Sequence, residues 1–346
     1  MKLTMREIRE KARERVKARC KVCPACNGVA CAGEVPGMGG VGTGRSFQNN
    51  VSALLDHRLV MRVLHEADNP DCSFDLWGNK LSMPVLAAPI GSIPGNLSSD
   101  LTDERYTRCL TAGCRAVNTT ASVGDIPNPD GLKSFLEWSK DYISLTIPFI
   151  KPWGVPEVIS RLEMAAAAGV KMIGTDVDGA GLPTMRMMAA PVKVRTAPEL
   201  AKIIKRSHEL GMKFIVKGIM AADEATICAD AGADGVIVSN HGGRVLDHTP
   251  GTAEALPPIV EAVGNRLMVL ADGGIRTGAD VLKMLALGAK AVLICRPLAI
   301  AVHGDEENGL ATYFGQIRQE LIEAMRLTGC ANLAAINRKI INSRVR

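Results

Sequence analysis

The chain has 346 residues, of which 47% are hydrophobic, 22% charged and only 3% aromatic. This composition excludes an intrinsically disordered chain and fits one large α/β barrel or two average domains. The net charge of +5 is modest, and three Tyr, three Trp and six Phe offer few rings for base stacking. We therefore expect no nucleic-acid partner.

No segment predicts insertion into a membrane or export across one. Apolar runs stay below the ~18 residues that a spanning helix needs, and Arg296 interrupts the run at residues 291–301. The basic start, residues 1–21, lacks the apolar core of a secretory signal and predicts a solvated helix. We expect a cytoplasmic protein whose ten cysteines are thiols or metal ligands.

One short pattern recurs along the chain and sets the predicted architecture. A helix ends in small residues and a glycine, and a run of β-branched and other apolar residues follows. Glycine suits the left-handed position after a helix, and the apolar run is typical of a strand buried on both faces. Repetition of the pattern predicts parallel βα units. The glycines of the copies are Gly113, Gly169, Gly211, Gly232 and Gly288.

Eight such strands predict a TIM (β/α)8 barrel, which carries its site at the C-terminal strand ends. The predicted strands are residues 83–90, 115–120, 142–150, 171–178, 213–218, 235–240, 267–272 and 291–295. A doubly wound sheet is the alternative, although GSIPGNL after the first strand lacks the glycine spacing of a dinucleotide site. We predict an N-terminal extension with a basic helix and a cysteine cluster at residues 1–50, followed by the barrel at residues 51–346.

The end of the chain predicts a phosphate site. GGIRTG opens a helix after strand seven, and Arg296 follows strand eight. Main-chain N–H groups at a helix start bind phosphate, and barrels commonly hold one after these two strands. Arg276 and Arg296 would add charge-assisted hydrogen bonds. The ligand is therefore expected to be phosphorylated.

Polar residues after strands four to six predict acid–base chemistry. His241 lies among glycines in SNHGGR, which suits a general base that a ligand approaches closely. The Asp178 carboxylate could orient this imidazole, and the Arg244 guanidinium could bind a ligand carboxylate through two hydrogen bonds. Lys217 ends the strand IVKG, where it would stabilise an electron-rich ring, form a Schiff base or pair with a buried aspartate.

These motifs identify a family. VSNHGGRVLD, IVKGIM and LADGGIRTGADVLKMLALGAKAVLICRP resemble the FMN-dependent 2-hydroxy-acid oxidase/dehydrogenase family over about residues 84–329. The family includes glycolate oxidase, lactate oxidase and flavin-linked lactate dehydrogenase. The resemblance implies FMN as cofactor, hydride transfer from a small L-2-hydroxy acid to the flavin, and a homotetramer.

The resemblance also implies roles for individual residues. His241 would remove the hydroxyl proton, Asp178 would pair with it, and Lys217 would stabilise reduced flavin. Arg244 would bind the substrate carboxylate, and Arg186 falls near the place of a second substrate arginine. The flavin contacts that the resemblance implies are Ala87, Ala88, Pro89, Lys217, Ser239, Asp272, Gly274, Arg276, Cys295 and Arg296.

The chain departs from the family at the substrate pocket. No tyrosine precedes Tyr106, and strand three ends in TIPFIK without the usual Gln-x-Tyr. Asp176 stands for a usual threonine, and Cys295 for a usual glycine. The substrate therefore need not be glycolate or lactate. Another FMN barrel, of the isopentenyl-diphosphate isomerase type, and a flavin/iron–sulfur electron-transfer subunit without its own substrate stay open as alternatives.

Four cysteines near the start of the chain have the density of metal ligands. Cys20, Cys23, Cys26 and Cys31 form C-x2-C-x2-C-x4-C. This spacing favours an iron–sulfur cluster over a zinc ion, and free thiols without metal are the third reading. A cluster near the flavin would pass electrons to a redox partner protein, which would make the chain a dehydrogenase.

Overall fold

The computed structural model describes residues 3–16, 19–97, 100–128 and 130–343. Its main sheet has eight parallel strands, which are β1 (Val85–Ala87), β2 (Ala121–Gly124), β3 (Thr146–Ile150), β4 (Met172–Asp176), β5 (Lys213–Ile219), β6 (Gly235–Val238), β7 (Met268–Ala271) and β8 (Ala291–Ile294). Their spatial order is β1-β8-β7-β6-β5-β4-β3-β2. The N–H of Ala87 donates to the carbonyl of Thr120 at 3.1 Å, where the sheet comes round on itself. The TIM barrel is confirmed, and the doubly wound alternative is wrong.

Helices surround the barrel. The longer ones are Asp103–Ala116, Gly131–Trp138, Val155–Ala167, Ala197–Glu209, Ala222–Asp230, Thr252–Val263, Gly278–Ala286 and Arg296–Arg326. Two short helices, Ile93–Leu97 and Pro183–Met187, lie in loops after β1 and β4. Further 3-10 turns span Lys140–Leu145, Val177–Gly181, Leu333–Ala335 and Arg338–Ile340.

The barrel interior is filled with apolar side chains and closed at its lower end, where the strands begin. A hairpin of Phe74–Leu76 and Asn79–Leu81 precedes β1. Its Leu76 and Leu81 are fully buried in one cluster with inward-facing residues of the strands, such as Ile215. Burial of such leucines stabilises the fold by roughly 1.5–3 kcal/mol each. Because the lower end is closed, a ligand enters only at the C-terminal strand ends.

The prediction of the second strand at residues 115–120 is wrong. The helix Asp103–Ala116 continues through Gly113, and Asn118 takes the left-handed conformation instead, with a φ of 52°. A Cβ on Gly113 would lie 2.9 Å from Leu310 Cδ2, so this glycine serves close helix packing and does not end a helix. The other four glycines of the repeat have φ between 77° and 113°, as predicted.

The other predicted strands are confirmed, the fifth one residue longer than predicted and the rest with shorter bounds. In the third, residues 142–145 belong to a 3-10 turn, and the strand begins at Thr146. In the fourth, Val177 and Asp178 lie in the turn after β4. The polar residues predicted at this strand end thus lie partly in the turn that follows the strand, at the C-terminal end of the barrel.

The N-terminal segment lies against the barrel. The helix Met5–Arg15 packs on the last long helix, where a Cβ on Gly304 would lie 2.1 Å from the carbonyl of Ile8. The helix Arg45–Leu55 follows and spans the predicted domain boundary at residue 50. Strand His57–Leu59 pairs with Ile341–Ser343. In the part of the chain described, no helix combines the length and apolar character needed to cross a bilayer.

Candidate active site at the barrel mouth

A cavity of about 400 Å³ opens at the C-terminal strand ends, within the size range of small-molecule sites. Its wall contains most of the predicted site residues: Ala88, Pro89, Lys217, His241, Arg244, Asp272, Gly274, Arg276, Cys295 and Arg296. Ala87, Ser239 and Asp178 stand directly beside this wall, in β1 or in contact with a wall residue. Arg186 is exposed, and the structure does not bring it to the cavity.

His241 is held between two carboxylates. Its Nδ1 lies 3.0 Å from Asp178 Oδ1, and its Nε2 lies 3.9 Å from Asp176 Oδ2. The φ of His241 is 57°, a strained conformation for a residue with a side chain, and such strain collects at functional sites. Gly218 gives Asp178 room, because a Cβ there would lie 2.6 Å from the Asp178 Cγ.

The imidazole of His241 is neutral at neutral pH. Burial lowers the pKa of His241 well below its usual value, and the ammonium groups of Lys217 and Lys151 lower it further. The hydrogen bond to the Asp178 carboxylate assigns the ring proton to Nδ1. Nε2 therefore carries the free lone pair of a base.

Lys217 is a buried ammonium group. Its Nζ donates to Ser239 Oγ at 2.9 Å and lies 3.3 Å from Asp272 Oδ2. Burial opposes its charge, but the carboxylates of Asp272 and Asp178 raise the pKa of Lys217 above its usual value. It therefore stays charged in the cavity wall.

A second buried pair was missed by sequence reasoning. Lys151 Nζ donates to Asp176 Oδ2 at 2.5 Å, and both side chains are almost fully buried. Lys151 directly follows β3, so the rule that polar residues after strands mark the site would have found it. Asp125 directly follows β2 in the same way and pairs with Arg161 at 2.8 Å.

Arg244 is partly buried and has one donor unused. Its Nη2 donates to Asn96 Oδ1 at 2.6 Å, whereas its Nε is buried without a partner among the described residues. Burial lowers the pKa of Arg244 to about 10, which leaves it charged at neutral pH. No sequence signal pointed to Asn96, which lies in a loop after β1. A buried guanidinium N–H without a partner favours an anionic ligand.

The predicted phosphate end of the cavity is walled by the N-terminal segment. Arg276 Nε donates to the Cys26 carbonyl at 3.2 Å, and Arg296 Nε to the Met38 carbonyl at 2.6 Å. The Arg296 guanidinium also lies 3.8 Å above the Phe47 ring. Both arginines are thus positioned by residues that precede the barrel.

Unpaired polar atoms concentrate in this site. In the described residues, seven buried side-chain N or O atoms lack a hydrogen-bond partner. Four of the seven belong to residues in or beside the cavity wall, namely Asp176, Asp178, Arg244 and Asp272. Buried polar groups are normally paired, so these atoms fit a bound polar ligand that offers hydroxyl donors to the carboxylates and an acceptor to Arg244.

Comparisons with known proteins agree on one family. The profile of a family described as FMN-dependent dehydrogenase matches residues 37–125 and 159–343. An L-lactate dehydrogenase of Caulobacter vibrioides is 31% identical, with 89% of this chain and 92% of its own length aligned. An L-lactate oxidase of Lactobacillus jensenii is 29% identical, over 82% of this chain and 75% of its own.

Solved structures share the fold. A mandelate oxidase structure covers 100% of this chain and 99% of its own, with a TM-score of 0.80 at 24% identity. A mandelate oxidase variant solved with an FMN adduct is 26% identical, covers 92% of this chain and 99% of its own, and has a TM-score of 0.72.

Proposed function

Because this chain belongs to the FMN-dependent dehydrogenase family, we propose that it binds FMN at the barrel mouth and oxidises a small L-2-hydroxy acid to the 2-oxo acid. One observation carries the proposal. A neutral imidazole with a free Nε2 and a charged arginine with an unused donor line the same cavity. This arrangement suits removal of a proton from a molecule whose carboxylate is bound nearby.

His241 acts as the base. Its Nε2 accepts the proton of the substrate hydroxyl, which requires the neutral ring that the lowered pKa provides. Asp178, at 3.0 Å from Nδ1, fixes the tautomer and stabilises the imidazolium that forms. Asp176, at 3.9 Å from Nε2, adds a second negative charge that stabilises the same cation.

Arg244 binds the substrate carboxylate. Arg244 lines the cavity, its Nε has no hydrogen-bond partner among the described residues, and its Nη2 donates to Asn96. A buried charge-assisted hydrogen bond is worth roughly 1.5–3 kcal/mol, which is enough to orient the acid. The exposed Arg186 stays a sequence-based proposal for a second contact, one that a movement of its loop would have to bring to the cavity.

FMN supplies the hydride acceptor when bound. Lys217 stands where an ammonium group would balance the negative charge of the reduced ring, and Asp272 Oδ1 is free to accept from the ribityl chain. The main chain of Ala88 and Pro89, together with Ser239 and Cys295, would enclose the ring. The phosphate would be held by Gly274, Arg276 and Arg296.

Part of the cavity wall favours an apolar substrate side chain. Leu182, Met185 and Met187 come from the turn and short helix after β4, and they line the cavity. An apolar wall binds a hydrocarbon group and leaves a second charged group unpaired. We propose a 2-hydroxy monocarboxylic acid, in keeping with the lactate and mandelate enzymes among the similar proteins.

The alternatives explain less of the site. An electron-transfer subunit without a substrate needs no general base. An isomerase that acts on a diphosphate needs no arginine that binds a carboxylate next to the base. The pairing of His241 with Asp178 and the unused donor of Arg244 favour the oxidation.

We also propose a cytoplasmic homotetramer that reduces a partner protein. The ten cysteines form no disulfide, which suits a reducing compartment. Met61, Val63 and Leu64 are strongly exposed in one segment, and exposed apolar side chains of this kind suit contact with a second copy. The mass in solution tests the tetramer.

An anaerobic titration tests the proposed function. The protein is purified without oxygen, its visible spectrum is recorded, and L- and D-2-hydroxy acids are added one at a time. We expect a flavin spectrum that one L-acid bleaches. A flavin that no acid bleaches would contradict the oxidation, and failure to bind added FMN would contradict the cofactor site.

A further inference from the structure

Residues 19–44, here called the cysteine loop, carry a feature that the family match does not cover. The four cysteines lie at residues 20–31, whereas the family profile begins at residue 37. All four are partly exposed, whereas five of the other six cysteines are buried among apolar side chains. Packing therefore accounts for the other cysteines and does not account for these.

The loop lies at the phosphate end of the cavity, and one of its cysteines contacts an arginine there. Cys20, Cys23, Cys26 and Cys31 fall within twelve residues of the chain. Arg276 donates through Nε to the Cys26 carbonyl at 3.2 Å and through Nη2 to Cys26 Sγ at 3.6 Å. Thiolates are the form of cysteine that binds metal, and a neighbouring guanidinium group stabilises such an anion.

The loop contains little apolar core of its own. The described residues 19–44 contain no helix or strand, and Val22 and Met38 are the buried apolar side chains larger than glycine among them. Long segments without regular structure are usually functional, and a bound metal centre often links small cysteine-rich units.

We propose that Cys20, Cys23, Cys26 and Cys31 bind an iron–sulfur cluster at the phosphate end of the FMN cavity. The inference rests on the proposed function, since FMN gives the cluster its electrons. Arg276 Nη2 donates to Cys26 Sγ at 3.6 Å, and hydrogen bonds to cysteine sulfur stabilise the reduced state of such clusters.

The chain spacing of the cysteines favours iron–sulfur over zinc, because C-x2-C-x2-C resembles an iron–sulfur ligand run. Zinc with bonds of about 2.3 Å holds four sulfurs in a tetrahedron about 3.8 Å apart. Among the described residues, the groups of three or more candidate ligands within 4.8 Å of one another do not include these cysteines, so they are not gathered around a single ion. A four-iron cluster binds each cysteine through a different iron and accepts a wider arrangement of sulfur atoms.

The cluster lets the enzyme transfer electrons one at a time to an acceptor. Oxidation of the hydroxy acid releases two electrons and two protons, and bound FMN takes both electrons. The oxidised cluster accepts one electron and passes it to an external one-electron carrier protein, and the cycle repeats for the second. The acceptor is therefore a carrier protein of this class, and oxygen is not required.

The loop also links the cluster to FMN retention. Arg276 is held by the Cys26 carbonyl, and Arg296 by the carbonyls of Met38 and Gly39. Loss of the cluster would loosen the loop and with it both phosphate-binding arginines. We expect weaker FMN binding in protein that lacks the cluster.

The experiment compares the full chain with Cys23→Ser and Cys26→Ser, and with Cys228→Ser as a matched control. Cys228 is buried in the helix Ala222–Asp230, away from the loop. All are purified without oxygen and supplied with iron, sulfide and FMN. We measure iron and acid-labile sulfide, the electron paramagnetic resonance signal after dithionite, FMN affinity and the circular dichroism spectrum.

We expect iron and sulfide in equal amounts and a resonance signal in the parent chain and in Cys228→Ser. Both loop variants should lose the signal and bind FMN more weakly, with an unchanged circular dichroism spectrum. Zinc or no metal in the parent chain, or a full cluster in both loop variants, would overturn the proposal. Bleaching of the flavin by an acid is recorded separately, so failure of the proposed function is distinguishable from failure of the cluster.

Discussion

The two ends of the cavity are built in different ways. At the substrate end, His241, Lys151 and Lys217 bond to other side chains that also lie in or just after the C-terminal ends of barrel strands. At the phosphate end, Arg276 and Arg296 bond mainly to main-chain carbonyls of the cysteine loop. The barrel thus positions the proposed catalytic side chains, and the segment before it positions the two arginines that we propose bind the FMN phosphate. Substitutions at the two ends should therefore separate catalysis from FMN binding.

The largest effect is expected at the base. His241→Gln removes the proton acceptor, and general base catalysis contributes roughly 10²–10⁴-fold in rate. We expect the rate of anaerobic flavin reduction to fall by about this factor, while FMN affinity stays unchanged. Stopped-flow absorbance measures the rate. Equal loss of FMN affinity would break the separation of the two ends.

The next effect concerns the substrate carboxylate. Arg244→Lys keeps a positive charge but loses the bidentate fork and the contact with Asn96. We expect kcat/KM to fall by roughly 10–100-fold through a higher KM, which corresponds to one or two charge-assisted hydrogen bonds. Lys193→Met, at an exposed position, serves as a control. A variant with the parent KM would remove Arg244 from the substrate site.

The phosphate end should respond in the opposite way. Arg276→Gln removes a cation from the predicted phosphate site, and we expect FMN to bind about 10-fold more weakly. Once saturated with FMN, the variant should reduce its flavin at the parent rate, because no strand-end side chain has changed. Fluorescence titration gives the affinity. A reduced rate at saturation would show that the ends are not independent.

The smallest effect is expected from the charges around His241 at the substrate end. Lys151 lowers the pKa of His241, and Asp176 raises it. Lys151→Met leaves the Asp176 charge unopposed, so the acid limb of kcat/KM should move up by about 1 pH unit or less. Lys151→Arg keeps the charge and should keep the profile. An unshifted profile in Lys151→Met would contradict the coupling.

The same groups set the pH range of the parent enzyme. A lowered pKa keeps His241 unprotonated down to pH values below its usual pKa, so activity should be lost only as the pH falls well below about 6.5. The pKa of Arg244 is lowered to about 10, so activity should fall again as the pH rises through that value. A pH profile of kcat/KM from 4 to about 11 tests both limbs.

Sequence reasoning reached the site through one geometric rule. Residues after parallel strands share one end of a barrel, so Asp178, Lys217 and His241 were expected together although they are far apart in the chain. Applied to the third predicted strand as well, the same rule would have found Lys151, but it could not have found Asp125, because that residue follows the observed second strand and not the predicted one. The second strand was misplaced because Gly113 follows the helix-end pattern while serving helix packing.

The sequence by itself determined the number of βα units, the family and most of the polar residues at the strand ends, because hydrophobic period, strand-end polarity and short motifs are local properties of the chain. Only the tertiary structure decided what each charged group touches. That Arg276 meets Cys26 and that Asn96 holds Arg244 depend on loops more than a hundred residues apart in the chain. Such contacts are set by how loops pack over the mouth, and no local pattern encodes that packing.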